Sequence, residues 1–140
     1  MGRKIYLIGS LKNTRIPVVA KTLRDRGHEV FDDWFGAGPE ADQIWRDYEK
    51  QRGRSYVEAL FEKNATKNFN FDHHHLKAAD TGILLLPAGK SGHLELGYMA
   101  GLGKNTHILV EGNMEIWDLM YRLANMVHFD LLKMVRALEI

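Results

Sequence analysis

A short apolar run at residues 81–87, TGILLLP, constrains the fold of this chain more than any other feature. Its length and the polar residues around it predict a buried strand. Residues 71–79 before it have the pattern of a helix end, and a glycine- and serine-containing loop at residues 88–92 follows it. A second helix is predicted to begin near His93 and to end at Gly103. Helix, strand, loop and helix in this order predict a parallel sheet.

The N-terminal part of the chain predicts a β-α-β unit. Residues 4–8, KIYLI, form a strand, residues 16–26 form a helix that Gly27 ends, and residues 29–31 form a second strand. The apolar residues of this helix share one face: Ile16, Val19, Ala20 and Leu23. Strands joined through a helix are expected to be parallel, with a right-handed crossover.

The C-terminal part continues the alternation of strands and helices. Strands are predicted at residues 107–110 and 127–129, and helices at residues 114–125 and 131–138. Residues 1–140 therefore predict a single α/β domain of three layers, with a parallel sheet of four or five strands and a Rossmann- or flavodoxin-like topology. In such sheets, ligands bind beyond the carboxyl ends of the strands.

A helical insertion is predicted at about residues 34–70. Its predicted parts are a loop at 34–39, helices at 42–50 and 55–63, and a turn-prone stretch at 64–70. The insertion holds two of the three tryptophans, Trp34 and Trp45. They either pack an extra lobe or provide a lid or stacking surface for an aromatic ligand, and the sequence leaves both interpretations open.

The composition argues against several classes of protein. A formal net charge of +1 gives no reason to expect a nucleic acid or a membrane surface as a partner. The chain has no cysteine, which excludes a disulfide framework, a thiolate metal site and a cysteine nucleophile. The N-terminus, MGRKIYLIGS, becomes polar too soon for a signal peptide. No apolar run reaches the ~18 residues of a membrane span, so we expect a cytoplasmic protein.

Three consecutive histidines, His73, His74 and His75, invite a metal-site interpretation. Consecutive residues of a helix point about 100° apart, so these three side chains cannot all bind one ion. We therefore expect no metal.

The predicted loop at residues 88–92 is flanked by two carboxylates, Asp72 before it and Glu95 after it. Backbone N–H groups at the start of a helix favour anions. We expect the chemistry of this protein at that loop.

Four segments of the sequence occur in the order and at the spacing of a known family. They are the strand and turn Ile5-Tyr6-Leu7-Ile8-Gly9-Ser10, Asp72 one helical face before Ala79-Asp80, the run SGHLELGYMA at residues 91–100, and Gly103-Lys104 before a strand. With these pieces, the chain resembles the nucleoside 2-deoxyribosyltransferase-like family over most of its length, least so at residues 34–70. That family includes nucleoside 2-deoxyribosyltransferases, 2′-deoxynucleoside 5′-phosphate N-hydrolases and CMP-type N-glycosidases.

The resemblance implies roles for individual residues. Glu95 matches the nucleophile that attacks C1′ of the sugar, Asp72 the carboxylate that manages the proton of the leaving base, and Tyr6 the tyrosine that orients the nucleophile. In this family a neighbouring subunit completes the site through an Asn-Leu-Met segment. Its counterparts here are Asp118 and Met120, with aspartate in place of the asparagine. A homodimer or higher homo-oligomer is expected on the same grounds, and no cofactor is implied.

The environments of the two carboxylates lead to opposite expectations for their charge. The start of the second helix should keep Glu95 ionised and exposed toward the ligand. A partly apolar cover over Asp72 should raise its pKa, so that it acts as an acid.

One departure from the family points to the substrate. Nucleoside-using members carry an aspartate six positions before the nucleophile, where it holds the sugar 5′-hydroxyl, and Gly89 occupies that position here. A carboxylate there repels a phosphate, whereas N–H groups, a hydroxyl and an ammonium bind one. The phosphate is expected at the Gly-Lys-Ser loop, with Ser10 and Asn13 as further donors. The predicted substrate-binding residues of these two loops are Gly9, Ser10, Asn13, Gly89, Lys90, Ser91, Gly92 and His93.

The expected function is cleavage of the N-glycosidic bond of a (2′-deoxy)nucleoside 5′-monophosphate, with release of the base to water. The alternatives are base exchange by a nucleoside 2-deoxyribosyltransferase and a non-catalytic nucleotide-binding module. A weaker alternative is a glycohydrolase of a dinucleotide such as NAD, in which Trp34 and Trp45 stack a second ring.

Overall fold

A computed structural model describes residues 2–139 of the chain. Within these residues, five strands form one sheet in the order β2-β1-β3-β4-β5, and every pair of neighbouring strands is parallel. The strands are β1 (Lys4–Ile8), β2 (Glu29–Phe31), β3 (Thr81–Leu86), β4 (Asn105–Val110) and β5 (Met126–His128). The predicted three-layer α/β class is confirmed, with the larger of the two predicted strand numbers.

Six α-helices lie within residues 2–139. They are α1 (Ile16–Asp25), α2 (Ala41–Gln51), α3 (Tyr56–Leu60), α4 (Lys63–Ala78), α5 (Lys90–Gly101) and α6 (Leu131–Leu138). Helices α1 and α6 bury their apolar faces in one core on one side of the sheet. Helices α4 and α5 pack in a second core on the opposite side. The period-2 alternation of side chains along β1 and β3 divides them between the two cores.

The predicted face of α1 is confirmed, because its four apolar residues, Ile16, Val19, Ala20 and Leu23, are all buried. Pro17 lies in the first turn, where its missing N–H costs no hydrogen bond. Gly27 follows the helix with a φ of 88°, the left-handed conformation that glycine adopts at little cost.

The insertion differs from its prediction in three places. Residues 34–39 are not simply a loop, because a 3₁₀ helix spans Asp33–Ala37. The helix predicted at 55–63 is shorter, since α3 ends at Leu60. The prediction of turns at residues 64–70 is wrong, because these residues form the first turns of α4, which has 16 residues. Asparagine only weakly opposes a helix, and packing against neighbouring helices overrides it.

The predicted helix at residues 114–125 is also wrong. The segment is irregular up to a 3₁₀ helix at Leu119–Leu123. The Asp118 side chain accepts a hydrogen bond from the N–H of Met120 at 2.9 Å, a local turn that competes with helix formation. Only Ile116, Tyr121 and Ala124 of this segment pack on the core, too few apolar contacts to support a helix over its whole length.

Helix α5 begins at Lys90, three residues before the predicted start, so the loop after β3 is shorter than residues 88–92. Lys90, Ser91 and Gly92 therefore lie in the first helical turn. Within residues 2–139, no helix combines the length and hydrophobicity that crossing a membrane requires.

Candidate active site

The strand order places a topological switch point between β1 and β3. The connection from β1 crosses one face of the sheet through α1, whereas the connection from β3 crosses the other face through α5. The connections that follow β1 and β3 therefore diverge above the carboxyl ends of these strands and leave a crevice. Ligands bind in such crevices in open α/β sheets. Tyr6 on β1 and Glu95 on α5 meet at this crevice.

A hydrogen bond joins these two residues. The Tyr6 hydroxyl donates to Oε2 of Glu95 at 3.0 Å, and the Tyr6 side chain is otherwise buried. Helix α5 approaches the sheet closely because Gly92 lacks a side chain. A Cβ at that position would lie 3.1 Å from Leu84 Cδ1 and 3.3 Å from Ile8 Cγ2. This close approach brings the second turn of α5, with Glu95, within reach of the tyrosine.

Glu95 is not held ionised by the helix start, so that prediction is wrong in direction. Burial raises its pKa from 4.5 to about 7, the hydrogen bond from Tyr6 lowers it, and the charge of Asp72 raises it further. Burial disfavours the charged carboxylate more than one hydrogen bond and a helix dipole favour it. The pKa of Tyr6 is raised by burial and by the charges of Glu95 and Asp72, so its hydroxyl stays protonated and acts as a donor.

Asp72 lies on α4 within electrostatic reach of this pair, since its charge affects the pKa of both Tyr6 and Glu95. Burial raises the pKa of Asp72, as predicted, the charge of His75 lowers it, and the charge of Asp33 raises it again. Tyr6 from β1, Asp72 from α4 and Glu95 from α5 are therefore close enough to interact electrostatically. The crevice holds two carboxyl groups whose pKa values are both raised above the ordinary range.

A cluster of aromatic rings lies beside Tyr6, with Phe31 at its centre. Phe31 at the end of β2 lies 4.9 Å from the Tyr6 ring, 5.7 Å from Phe71 and 4.0 Å from His75 between ring centroids. No sequence pattern could have joined them, because they come from two strands and a helix. They give the site an apolar wall, which explains why burial dominates the pKa of both carboxyl groups.

The two tryptophans of the insertion make packing contacts. Trp34 Nε1 donates to the carbonyl of Leu7 at 2.8 Å, beyond the end of the β1/β2 ladder, and its ring packs on both cores. Trp45 packs edge-to-face on Tyr56, joining α2 to α3. Of the two interpretations left open by the sequence, these contacts favour packing.

The anion site predicted at the start of α5 stays a prediction, and the structure shows where its residues lie. Gly89 precedes the helix without a side-chain cap, and Lys90 and Ser91 are exposed in its first turn. A φ of −90° at Gly89 suits any residue, and the space around its Cα is open.

Two side-chain hydrogen bonds lie within the loop after β1, and Arg15 at its end is a cation that the sequence did not single out. Oγ of Ser10 accepts from the N–H of Lys12 at 3.1 Å, and Oδ1 of Asn13 accepts from the N–H of Arg15 at 3.0 Å. Arg15 in turn binds Glu111, which follows β4, through two hydrogen bonds of 2.9 and 2.8 Å. Because β3 lies between β1 and β4, this ion pair connects the loops on either side of the β3 loop.

Both ring nitrogens of His93 have partners within the protein, and its predicted contact with the substrate stays a prediction. Its Nδ1 donates to the carbonyl of Gly89 at 2.7 Å, and its Nε2 lies 2.8 Å from the hydroxyl of Tyr121. The carbonyl can only accept, so in the neutral tautomer Nε2 accepts from Tyr121. His93 thus ties the start of α5 to the 3₁₀ helix that carries Met120.

Asp118 and Met120 lie on the surface at this 3₁₀ helix. They belong to an exposed apolar segment in which Trp117 is 90% exposed, Leu119 79% and Met120 61%. The described residues 2–139 of one chain give these side chains no apolar cover.

The three consecutive histidines diverge as expected. His73 lies 2.9 Å from the hydroxyl of Tyr98, His75 stacks on Phe31, and His74 is exposed. Nowhere in the part of the chain that the structure describes do three histidine, aspartate or glutamate side chains converge as metal ligands.

The Tyr6–Glu95 hydrogen bond leads to a prediction that needs no ligand. Replacing Tyr6 by Phe removes the donor that lowers the pKa of Glu95. We expect this pKa to rise by roughly one unit, since a hydrogen bond to a charged group contributes about 1.5 kcal/mol and one unit corresponds to ~1.4 kcal/mol. Carboxyl ¹³C NMR titration of Glu95 measures it. Tyr98→Phe, which removes a hydroxyl from the outer face of α5, is the control and should leave the titration unchanged.

The fold is that of the nucleoside 2-deoxyribosyltransferase-like proteins, as the sequence resemblance implied. CMP N-glycosidase BcmB from Clostridium botulinum matches 98% of this chain with all of its own, at a TM-score of 0.54 and 16% identity. A 2-deoxyribosyltransferase from Bacillus psychrosaccharolyticus matches 94% of this chain with 89% of its own, at a TM-score of 0.62 and 24% identity. No protein-family model and no curated protein sequence matches the chain.

Proposed function

We propose that this protein is an N-glycosidase of the nucleoside 2-deoxyribosyltransferase-like family that hydrolyses a (2′-deoxy)nucleoside 5′-monophosphate. The observation that carries the proposal is the Tyr6–Glu95 hydrogen bond of 3.0 Å at the switch point, with Asp72 in electrostatic contact. This pair of carboxyl groups is what cleavage at a glycosidic carbon requires: one to attack and one to transfer a proton.

The reaction proceeds in two balanced steps. In the first, the Glu95 carboxylate forms a bond to C1′ while the C1′–N bond breaks, and protonated Asp72 gives its proton to the leaving base. In the second, ionised Asp72 takes a proton from water, the water oxygen bonds to C1′, and the bond from C1′ to Glu95 breaks. Both carboxyl groups return to their starting state, and the products are the free base and the sugar phosphate.

The raised pKa of Glu95 suits this chemistry. A carboxylate in an apolar crevice is poorly solvated and gains more from the positive charge that develops at C1′ than a well-solvated one does. The Tyr6 hydroxyl donates to one oxygen, Oε2, and leaves Oε1 for the sugar. Tyr6 therefore orients the nucleophile without neutralising it.

The start of α5 supports a 5′-phosphate as the substrate group. The N–H groups of the first helical turn, with Lys90 and Ser91, are donors for an anion. Ser10 and Asn13 use their side-chain oxygens within the β1 loop, which leaves the Ser10 hydroxyl proton and the Asn13 amide N–H₂ as further donors. The Clostridium botulinum neighbour is a glycosidase of CMP, a monophosphate, which agrees with this assignment.

Gly89→Asp tests the phosphate assignment. The open space around Gly89 and its ordinary φ accommodate an aspartate without strain. The new carboxylate repels a phosphate, so kcat/KM for the monophosphate should fall by on the order of 100-fold, the effect of unfavourable charge contacts worth ~3 kcal/mol. The value of kcat/KM for the matching nucleoside should fall much less. Gly89→Asn, with the same shape and no charge, is the control, and an equal loss in both variants would contradict a phosphate at this position.

The exposed segment around Met120 supports a homodimer in which each subunit completes the other's site. We expect light scattering to give a mass of at least twice 16.1 kDa. Met120→Lys should weaken the dimer and lower turnover together, because a charge is costly to bury in an apolar interface. Leu132→Lys, at an exposed position of α6 beyond the opposite face of the sheet, should change neither. A fully active monomer would remove Asp118 and Met120 from the site.

The decisive experiment is an assay of base release. Ribo- and deoxyribonucleoside 5′-monophosphates and the matching nucleosides are incubated with the protein, and free base is followed by chromatography. We expect release from at least one monophosphate in water alone. Release only when a second base is present would make the protein a 2-deoxyribosyltransferase, which the likeness to the Bacillus enzyme favours. Binding without release would leave a nucleotide-binding module.

A further inference from the structure

Two side chains that the mechanism above does not use connect the first turn of α5 to the 3₁₀ helix at Leu119–Leu123. The hydroxyl of Tyr121 lies 2.8 Å from Nε2 of His93, and Nδ1 of His93 lies 2.7 Å from the carbonyl oxygen of Gly89. The two rings also stack, with centroids 5.6 Å apart and an interplanar angle of 24°. This Tyr121–His93 link fixes both nitrogens of the imidazole.

The carbonyl at one end of the link sets the direction of both hydrogen bonds. A carbonyl oxygen only accepts, so Nδ1 of His93 carries the hydrogen, and Nε2 of the neutral imidazole accepts from Tyr121. Burial and the charge of Asp118 raise the pKa of Tyr121, which keeps the hydroxyl proton in place. The tyrosine therefore orients the imidazole, and the imidazole holds the backbone of Gly89.

The turn that the link holds is weak by composition. Gly89 is its N-cap and provides no side-chain hydrogen bond, and Gly92 is a second glycine three residues later. Glycine loses more backbone freedom on folding than other residues, which makes a helical turn that contains it less stable. The carbonyl of Gly89 accepts from the backbone N–H of His93 at 3.3 Å and from its imidazole at 2.7 Å. The imidazole thus makes the shorter of the two hydrogen bonds that close this turn.

The residues that follow this turn have contacts of their own with the sheet. Gly92 lies close against β3, and Glu95 accepts a hydrogen bond from Tyr6 at 3.0 Å. Loss of the link should therefore loosen the residues before Gly92 and leave the nucleophile in place. The N–H groups of these residues are the ones to which the phosphate is assigned above.

We propose that Tyr121 and His93 are positioning residues that hold the first turn of α5 in the shape that binds the 5′-phosphate. The proposal rests on the proposed function for its substrate. It adds two side chains that act through the backbone of Gly89, independently of any contact of their own with the substrate. Breaking the link should therefore weaken binding of the phosphate more than it slows the chemical step.

Tyr121→Phe tests the proposal, because it keeps the stacked ring and removes only the hydroxyl. KM for the monophosphate should rise roughly 5-fold, the effect of one lost hydrogen bond, with kcat and the KM of the matching nucleoside little changed. Tyr98→Phe is the matched control, since the Tyr98 hydroxyl lies 2.9 Å from Nε2 of His73 on the outer face of the same helix. It removes the same kind of contact away from the first turn and should leave KM unchanged.

His93→Phe is a second variant that keeps a ring on Tyr121 and removes both hydrogen bonds of the imidazole. It should raise KM for the monophosphate at least as much as Tyr121→Phe does. Adding Tyr121→Phe to His93→Phe should have little further effect, because the two side chains act through one link. Additive losses in the double variant would overturn the proposal.

Two measurements without turnover separate this proposal from the proposed function. Hydrogen exchange of the His93 amide, which bonds to the Gly89 carbonyl, should be faster in Tyr121→Phe. Titration with inorganic phosphate, followed through the amide NMR signals of Lys90 and Ser91, should give a Kd that is raised by the same roughly 5-fold factor.

The outcomes divide clearly between the two proposals. An unchanged KM and phosphate Kd in folded Tyr121→Phe, or an equal change in Tyr98→Phe, would overturn the role of the link. A loss of kcat that is equal for monophosphate and nucleoside would also overturn it, because that is the result of a general structural defect. Absence of base release from every nucleotide would contradict the proposed function instead, and the phosphate titration would still decide the role of Tyr121 and His93.

Discussion

Glu95→Gln should reduce base release by at least ~10³-fold, because an amide oxygen cannot replace a carboxylate as the attacking group. The amide is nearly isosteric and still accepts the hydrogen bond that Tyr6 donates to this side chain at 3.0 Å. The loss should therefore fall on kcat, with KM for the nucleotide little changed. Single-turnover base release measures it, and Glu40→Gln, at an exposed position before α2, is the control.

Stability separates this result from simple misfolding. The folded-state pKa of Glu95, about 7, lies above its ordinary value of 4.5, so the folded protein binds this proton more tightly than the unfolded chain does. The corresponding stability is fully present below pH 4.5 and is lost as the pH rises through about 7. A glutamine never ionises, so Glu95→Gln should unfold at the same temperature as the wild type or higher at pH 8. An inactive variant with a lower melting temperature would contradict this account.

The fold was predictable where the pattern of apolar residues was strong. The run TGILLLP has the length and hydrophobicity of a central strand, and β3 spans nearly all of it. The apolar face of α1 also follows directly from spacing. The secondary structure predicted for residues 64–70 and for residues 114–125 was wrong for opposite reasons. The polar residues at 64–70 belong to helix α4, which packs against neighbouring helices. Most of the large apolar side chains at 114–125 are exposed, so a helix there would gain little stability from burial.

The candidate site was predictable only in part. Tyr6, Asp72 and Glu95 lie near one another because strand order and crossover rules bring their elements to one crevice, and the roles that the sequence resemblance implies for them stay predictions. The charge state of Glu95 was not predictable, since it depends on an apolar wall made by residues distant in sequence. Arg15 was missed because its ion pair with Glu111 joins two loops that follow different strands and lie far apart in the sequence.

The role of Asp72 leads to the second large effect, which depends on the leaving base. Asp72→Asn keeps the side-chain shape but cannot donate a carboxylic proton, so we expect base release to fall by about 10²–10⁴-fold, the usual contribution of general acid catalysis. The loss should be largest for a poor leaving group, because its bond to C1′ breaks only as the base is protonated. A nucleotide whose base leaves as a stable anion needs no such proton. In a single turnover, Asp72→Asn should therefore release that base nearly as fast as the wild type does, although the second step, in which Asp72 takes a proton from water, stays slow. The control is Glu95→Gln, which should be inactive on both substrates because each requires the nucleophile. Equal losses of Asp72→Asn on the two leaving groups would mean that Asp72 acts by charge or position alone. If Asp72→Asn loses much more on the poor leaving group than on the good one, while Glu95→Gln loses equally on both, the proton that leaves with the base comes from the Asp72 carboxyl group.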